Sequence, residues 1–161
     1  MRVRRVRPAD ADEWLRMRNL LWPPDEGEDH ADDIARFFDG DPLVSCPGGV
    51  AAVFVAERAR RRLGGFVEAG LRPFAEGCDT RPVGYVEGWF VDRDLRRSGV
   101  GRKLLAAAEA WARAQGCREM ASDCLVRNEV SRRAHVALGY REGDRVIQFS
   151  KRLSGRRRAR G

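Results

Sequence analysis

The stretch LRRSGVGRKLLAAAEAWARAQG, residues 95–116, decides how the chain is read. Two arginines and a serine lead into Gly99-Val100-Gly101, and an alanine-rich amphipathic helix follows until Gly116 stops it. The front of a helix carries unpaired N–H groups and a partial positive charge. Gly99 and Gly101 let a ligand approach the backbone, and Arg96, Arg97 and Arg102 surround the turn with charge. Phosphate or pyrophosphate is the natural guest. Two familiar phosphate loops do not fit. No GxxxxGK[ST] run exists, and Leu104 stands where a dinucleotide fingerprint needs its third glycine. What does precede the loop is VEGWFVD, a strand.

Working outward, the rest alternates strands and helices. MRVRRVRPA reads as a first strand ending at Pro8. Asp10 or Asp12 caps a helix to about Leu21, with Trp14, Met17 or Arg18, and Leu21 on one face. A second helix spans about Asp29 to Phe38. VAAVFVAER, LGGFVEAGLR and VGYVEGWFVD are strands, and CREMASDCL is another after the long helix. NEVSRRAHVAL is a helix closed by Gly139, and YREGDRVIQFSKRL reads as a terminal hairpin turning at Glu142-Gly143-Asp144. The order β-αα-βββ-α-β-α-ββ predicts one α/β (α+β) domain over residues 1–153, with a basic, disordered tail at 154–161.

Composition agrees with a globular domain: 161 residues, 43% hydrophobic, with no apolar run long enough for a membrane helix and no apolar leader. A cytoplasmic setting is expected. Of the net charge of +7, six cations lie in KRLSGRRRARG, residues 151–161. Residues 25–41 run the other way, with eight carboxylates against Arg36. Such a block attracts a cationic partner or is simply a solvated helix face. Cys46, Cys78, Cys117 and Cys124 lack metal-ligand spacing and read as buried free thiols, so no metal is expected.

Arg96-Arg97-Ser98-Gly99-Val100-Gly101 matches the Gln/Arg-x-x-Gly-x-Gly/Ala loop of the GNAT acetyltransferases. NEVSRRAHVALGY resembles that family's second signature, an Asn-x-x-Ala/Ser helix ending in Leu-Gly-Phe/Tyr. Further stretches (WLRMRNLLWP, GFVEAGLR, PVGYVEGWFVDRDLRRSGVG and ASDCLVRNEVSRRAHVALGYRE) resemble the short, single-domain aminoglycoside 6'-N-acetyltransferases, to about Leu153. The resemblance implies a GNAT fold, a mixed central sheet whose middle strands splay apart. It implies acetyl-CoA as co-substrate, with Phe90 and Val91 on the pantetheine arm. Arg96, Arg97, Ser98, Gly99, Val100, Gly101 and Arg102 would hold the pyrophosphate, and Asn128, Ser131 and His135 would face the cofactor. Members of the family are commonly homodimers.

The acceptor in such a reaction is an amine, charged at neutral pH, which must lose a proton before attacking a thioester. A carboxylate, or water held by one, takes it. Glu87 lies in an otherwise uncharged strand run and shares a face with Tyr85 and Trp89 by period two. Asp123 ends the strand EMASD. Glu68 and Trp22 match acceptor-site residues of the resembled family, the tryptophan as a flat wall for a sugar or cation. The base stays open between Glu87, Asp123 and water. His135 stands where many of the family carry a tyrosine, either as the acid for the leaving thiolate or as a cofactor hydrogen-bonding group. His30, in the acidic segment, reads as solvated. No cysteine sits in a nucleophile motif, which suits direct transfer in a ternary complex. Two other functions fit less of the sequence: acetylation of a polyamine or protein N-terminus, and nucleic-acid binding through the arginine tail.

Overall fold

The computed structural model describes residues 1–23, 30–40, 49–60 and 62–152. Five strands form one sheet in chain order: β1 (Val3–Arg5), β2 (Ala52–Glu57), β3 (Leu63–Arg72), β4 (Val83–Val91) and β5 (Met120–Ser122). The first four are antiparallel, and β5 runs parallel to β4. A parallel neighbour needs a crossover, and α3 (Val100–Ala114) supplies it. The other described helices are α1 (Ala11–Leu21), α2 (His30–Asp39) and α4 (Glu129–Ala137).

The helices cover the two sheet faces. α3 places Val100, Leu104, Leu105 and Ala108 against Val67, Ala69 and Val86. Trp14 and Met17 of α1 and Ile34 of α2 pack on Phe66 and Phe90 across the sheet. β3 is covered on both sides, which is why its residues Leu63 to Gly70 are buried without alternation. The expected Asp10 cap takes another form. Its carboxylate accepts the Arg7 N–H at 2.8 Å and the Arg4 guanidinium at 2.6 Å, fixing the 3-10 turn Pro8–Asp10 ahead of α1.

One irregularity matters for the site. Glu68 opposes Gly88, but the next residue, Ala69, opposes Val86, so Glu87 is an extra residue in β4. This β-bulge resets the alternation. Before it, Val86 packs on the α3 side and Tyr85 on the other; beyond it, Trp89 and Val91 pack on the α3 side and Phe90 does not. The expectation that Tyr85, Glu87 and Trp89 share one face is thereby corrected. Tyr85 and Trp89 lie on opposite faces, because period two fails across a bulge.

The terminal hairpin is a second correction. The described residues 141–152 form no strand, and Val146, Ile147 and Phe149 are 69%, 80% and 91% exposed. A two-stranded hairpin is marginal without a third strand or an apolar face to rest on. Cysteines depart as well: Cys117 is buried, Cys78 half-buried and Cys124 exposed, all three as free thiols. Cys46, the tail from residue 153 and part of the acidic block lie outside the described residues.

Candidate active site

The loop before α3 is built as a cradle. Gly99 takes φ 86°, a left-handed conformation that favours glycine, and Arg97 takes φ 62°. The first internal bond of the helix runs from Lys103 N–H to the Gly99 carbonyl at 3.1 Å, leaving the amides of Val100, Gly101 and Arg102 without intrahelical partners. Gly101 is needed for a second reason: a Cβ there would lie 2.7 Å from Cζ2 of Trp89. The Trp89 indole N–H is buried beside this turn and has no acceptor among the described residues. Unpaired donors, an orphaned indole N–H and exposed Arg96, Arg97 and Arg102 suit an anionic, oxygen-rich ligand. Ser98 turns its hydroxyl back onto the Leu95 carbonyl at 2.6 Å, and Arg96 donates to the Val91 carbonyl at 3.0 Å.

Next to the cradle the sheet opens. β4 and β5 pair only at Gly84, Tyr85 and Val86, so residues 87–91, with Phe90 and Val91 among them, keep β3 on one side and have no strand among the described residues on the other. The carboxylates gather at this fork. Tyr85 donates its hydroxyl to Asp123 at 2.6 Å. Burial, then the Asp123 hydrogen bond, push the Tyr85 pKa up, so it stays a neutral donor. Glu87 is held from the other side, its two oxygens accepting from Arg72 Nε at 3.1 Å and Nη2 at 2.6 Å. Its side chain is 14% exposed. Burial raises the Glu87 pKa above its ordinary value despite the opposing guanidinium. A carboxylate with raised proton affinity is a better base for an ammonium than an ordinary one.

His135 sits on the opposite side of the fork, edge-on to Trp89 and Tyr140. Its Nδ1 lies 2.9 Å from the Ser131 carbonyl, which only accepts, so Nδ1 carries the proton. Nε2 then accepts from Ser122 Oγ at 3.0 Å. Ser122 and His135 thus form one hydrogen-bonded pair on this side of the fork. Asn128 spends its Oδ1 on the Ser131 N–H at 3.1 Å, capping α4.

Two expectations are corrected, an acceptor-site place for Glu68 and a solvated His30. Glu68 faces no opening: it is 1% exposed, accepts the Trp14 indole N–H at 2.8 Å and lies 3.1 Å from Arg18 Nε. Burial pushes its pKa up to about 7, against the lowering pull of Arg18 and Trp14. The Trp22 ring lies where a Gly88 Cβ would be. His30 is buried, not solvated, because its Nε2 bonds the Trp22 carbonyl at 3.0 Å. Arg18 spans the Trp14 and Trp22 rings, with its Cζ 5.9 and 5.4 Å from the two centroids. Sequence reasoning missed Arg72, Arg18 and Ser122. Only Arg72 left a trace, at even spacing from Glu68 along one strand.

A sheet forked beside a glycine-hinged anion cradle, with carboxylates at the fork, defines an acyl-transfer site of the acetyl-CoA type. The chain belongs to the acetyltransferase (GNAT) family, whose family model matches residues 14–140. Among its relatives is aminoglycoside N(6')-acetyltransferase type 1 of Klebsiella aerogenes, 42% identical over 151 residues, 94% of this chain and 96% of that one. The structure of AAC(6')-Iy in complex with the bisubstrate analogue CoA-S-monomethyl-acetylneamine superposes with a TM-score of 0.82 at 35% identity, covering 94% of this chain and 98% of that one. The apo structure of aminoglycoside antibiotic 6'-N-acetyltransferase AAC(6')-IG from Acinetobacter haemolyticus gives 0.83 at 31% identity, covering 96% and 100%. The fold expectation, a splayed mixed sheet, holds.

Proposed function

We propose that this chain moves the acetyl group of acetyl-CoA to the 6'-amine of aminoglycoside antibiotics by direct transfer in a ternary complex, and so confers resistance to them. The observation that carries the reading is the 42% identity over nearly the whole length to an enzyme named for that reaction. Acetyl-CoA supplies a thioester activated toward amines. The amides of residues 99–102, with Arg96, Arg97 and Arg102, hold its pyrophosphate. Phe90 and Val91, on the unpaired stretch of β4, bind its arm through backbone groups, and Asn128 and Ser131 lie along its path. Trp22 lines the acceptor. Glu87 or Asp123, directly or through water, takes the ammonium proton, and the unpaired β4 amides polarise the carbonyl. As the N–C bond forms and the C–S bond breaks, the attacking nitrogen sheds its second proton and the departing sulfur takes one up, with His135 as the acid for that step or as a hydrogen-bonding group of the cofactor.

The domain is assigned to residues 1–153. The chain works as a homodimer in this reading, supported by Leu125, Val126, Val130, Val136, Val146, Ile147 and Phe149, all exposed apolar residues on the last described stretch. A reducing, cytoplasmic setting suits its free thiols. The test is an acceptor panel, kanamycin and spermidine, each incubated with acetyl-CoA and read by mass spectrometry. Acetylated kanamycin with spermidine left largely untouched is expected. Acetylated spermidine alone would reassign the chain to polyamine chemistry.

A further inference from the structure

The least expected group at the fork is a cation. Arg72 lies over Tyr85, with its Cζ 3.3 Å from the ring centroid. The same guanidinium occupies both oxygens of Glu87. Tyr85 in turn holds Asp123. One positive charge therefore sits on an aromatic face between the two carboxylates that an acceptor ammonium needs. The seat is made to measure. Gly70 lies opposite Tyr85, and a Cβ there would come within 2.9 Å of Glu87 Oε1 and strike the Gly49 carbonyl. The Arg72 side chain is 31% exposed, so its outer side opens to solvent.

We propose that Arg72 is a resident counter-cation that occupies the acceptor's seat on Glu87 and Tyr85, is exchanged for the incoming amine, and thereby selects polycationic acceptors over monoamines. This inference rests on the functional reading above. Exchange of one cation for another spares Glu87 a stage at which it is buried and unpaired, the costly state for a carboxylate. A fork with two aligned charge-assisted bonds is hard to displace with one ammonium. A polycation recovers the loss by placing a second ammonium on Asp123. A monoamine has nothing left for that site.

The test compares Arg72→Met and Arg72→Lys with the unaltered chain, using kanamycin and methyl 6-amino-6-deoxyglucoside, a sugar with one amine. The readout is the ratio of kcat/KM for the monoamine to that for kanamycin. Arg72→Met is expected to raise this ratio on the order of tenfold, mainly through a lower monoamine KM. Arg72→Lys, a point charge without the fork, should raise it less, and it serves alone if the methionine variant does not fold. An unchanged or lowered ratio, with kcat falling equally for both acceptors, would overturn the proposal and make Arg72 a positioning residue for Glu87. If the unaltered chain turns over neither acceptor, the functional reading itself fails, and the inference falls with it.

Discussion

Replacing Glu68 by glutamine should remove a pH dependence from the stability of the fold. Glu68 is fully buried, and burial lifts its pKa from 4.5 to about 7. In the unfolded chain the same group ionises near its ordinary value. Between those two pH values the folded chain holds a proton that the unfolded chain has released. Stability from this group is therefore complete below about pH 4.5 and is lost as pH rises toward 7. Each tenfold difference in proton affinity is worth about 1.4 kcal/mol, so the loss totals about 3 kcal/mol. Glutamine keeps an amide oxygen for the Trp14 N–H and leaves Arg18 with Asp33 at 3.3 Å and two indole faces. Urea unfolding of both proteins at pH 5, 6, 7 and 8 measures the effect. Carboxylates held low by arginines, such as Asp10, act below this range and cancel in the difference. The wild-type curve should fall relative to the variant's by most of that 3 kcal/mol, and the variant should gain relative stability at pH 8. Parallel curves would refute the claim that Glu68 is buried without adequate compensation.

Further consequences concern the site and the surface. Glu87→Gln should lower kcat by about 10²- to 10⁴-fold and erase an acid limb of the rate profile that lies above the ordinary carboxylate range, since Glu87's pKa is raised; stopped assays from pH 5 to 9 read both. Gly101→Ala places a methyl 2.7 Å from Trp89 Cζ2 and should cost about 1–3 kcal/mol of stability while raising the KM for acetyl-CoA, checked by melting and initial rates. Under the proposed homodimer, Phe149→Asp, at a side chain 91% exposed in the single chain, should shift the protein from dimer to monomer in sedimentation velocity. An unchanged sedimentation coefficient would remove the terminal segment from the interface.

Much of the fold was legible because it rests on local signals. Gly99, Gly101 and Gly116 bound α3 with the left-handed turns and close approach that only glycine makes easy, and the apolar stripe between them fixes which face is buried. What the sequence concealed depends on pairing. The bulge at Glu87 arises from the register of β3 against β4, and no residue in VGYVEGWFV announces it. It brings Glu87 toward Arg72 and sends Trp89 to the α3 side. Glu68 is closed in by Trp14 and Arg18, both brought from a distant helix, so a strand-face argument had no way to see the lid. The terminal segment failed for a related reason. Its alternating apolar residues have strand character, but a strand must pair to persist, and the described residues 141–152 join neither edge of the sheet, β1 or β5.

The most direct measurement is release of the CoA thiol from acetyl-CoA with kanamycin, set beside the same antibiotic blocked at its 6'-amine. The account predicts turnover with the open amine and background with the blocked one. Equal release from both acceptors, or none from either while acetyl-CoA still binds, would contradict it.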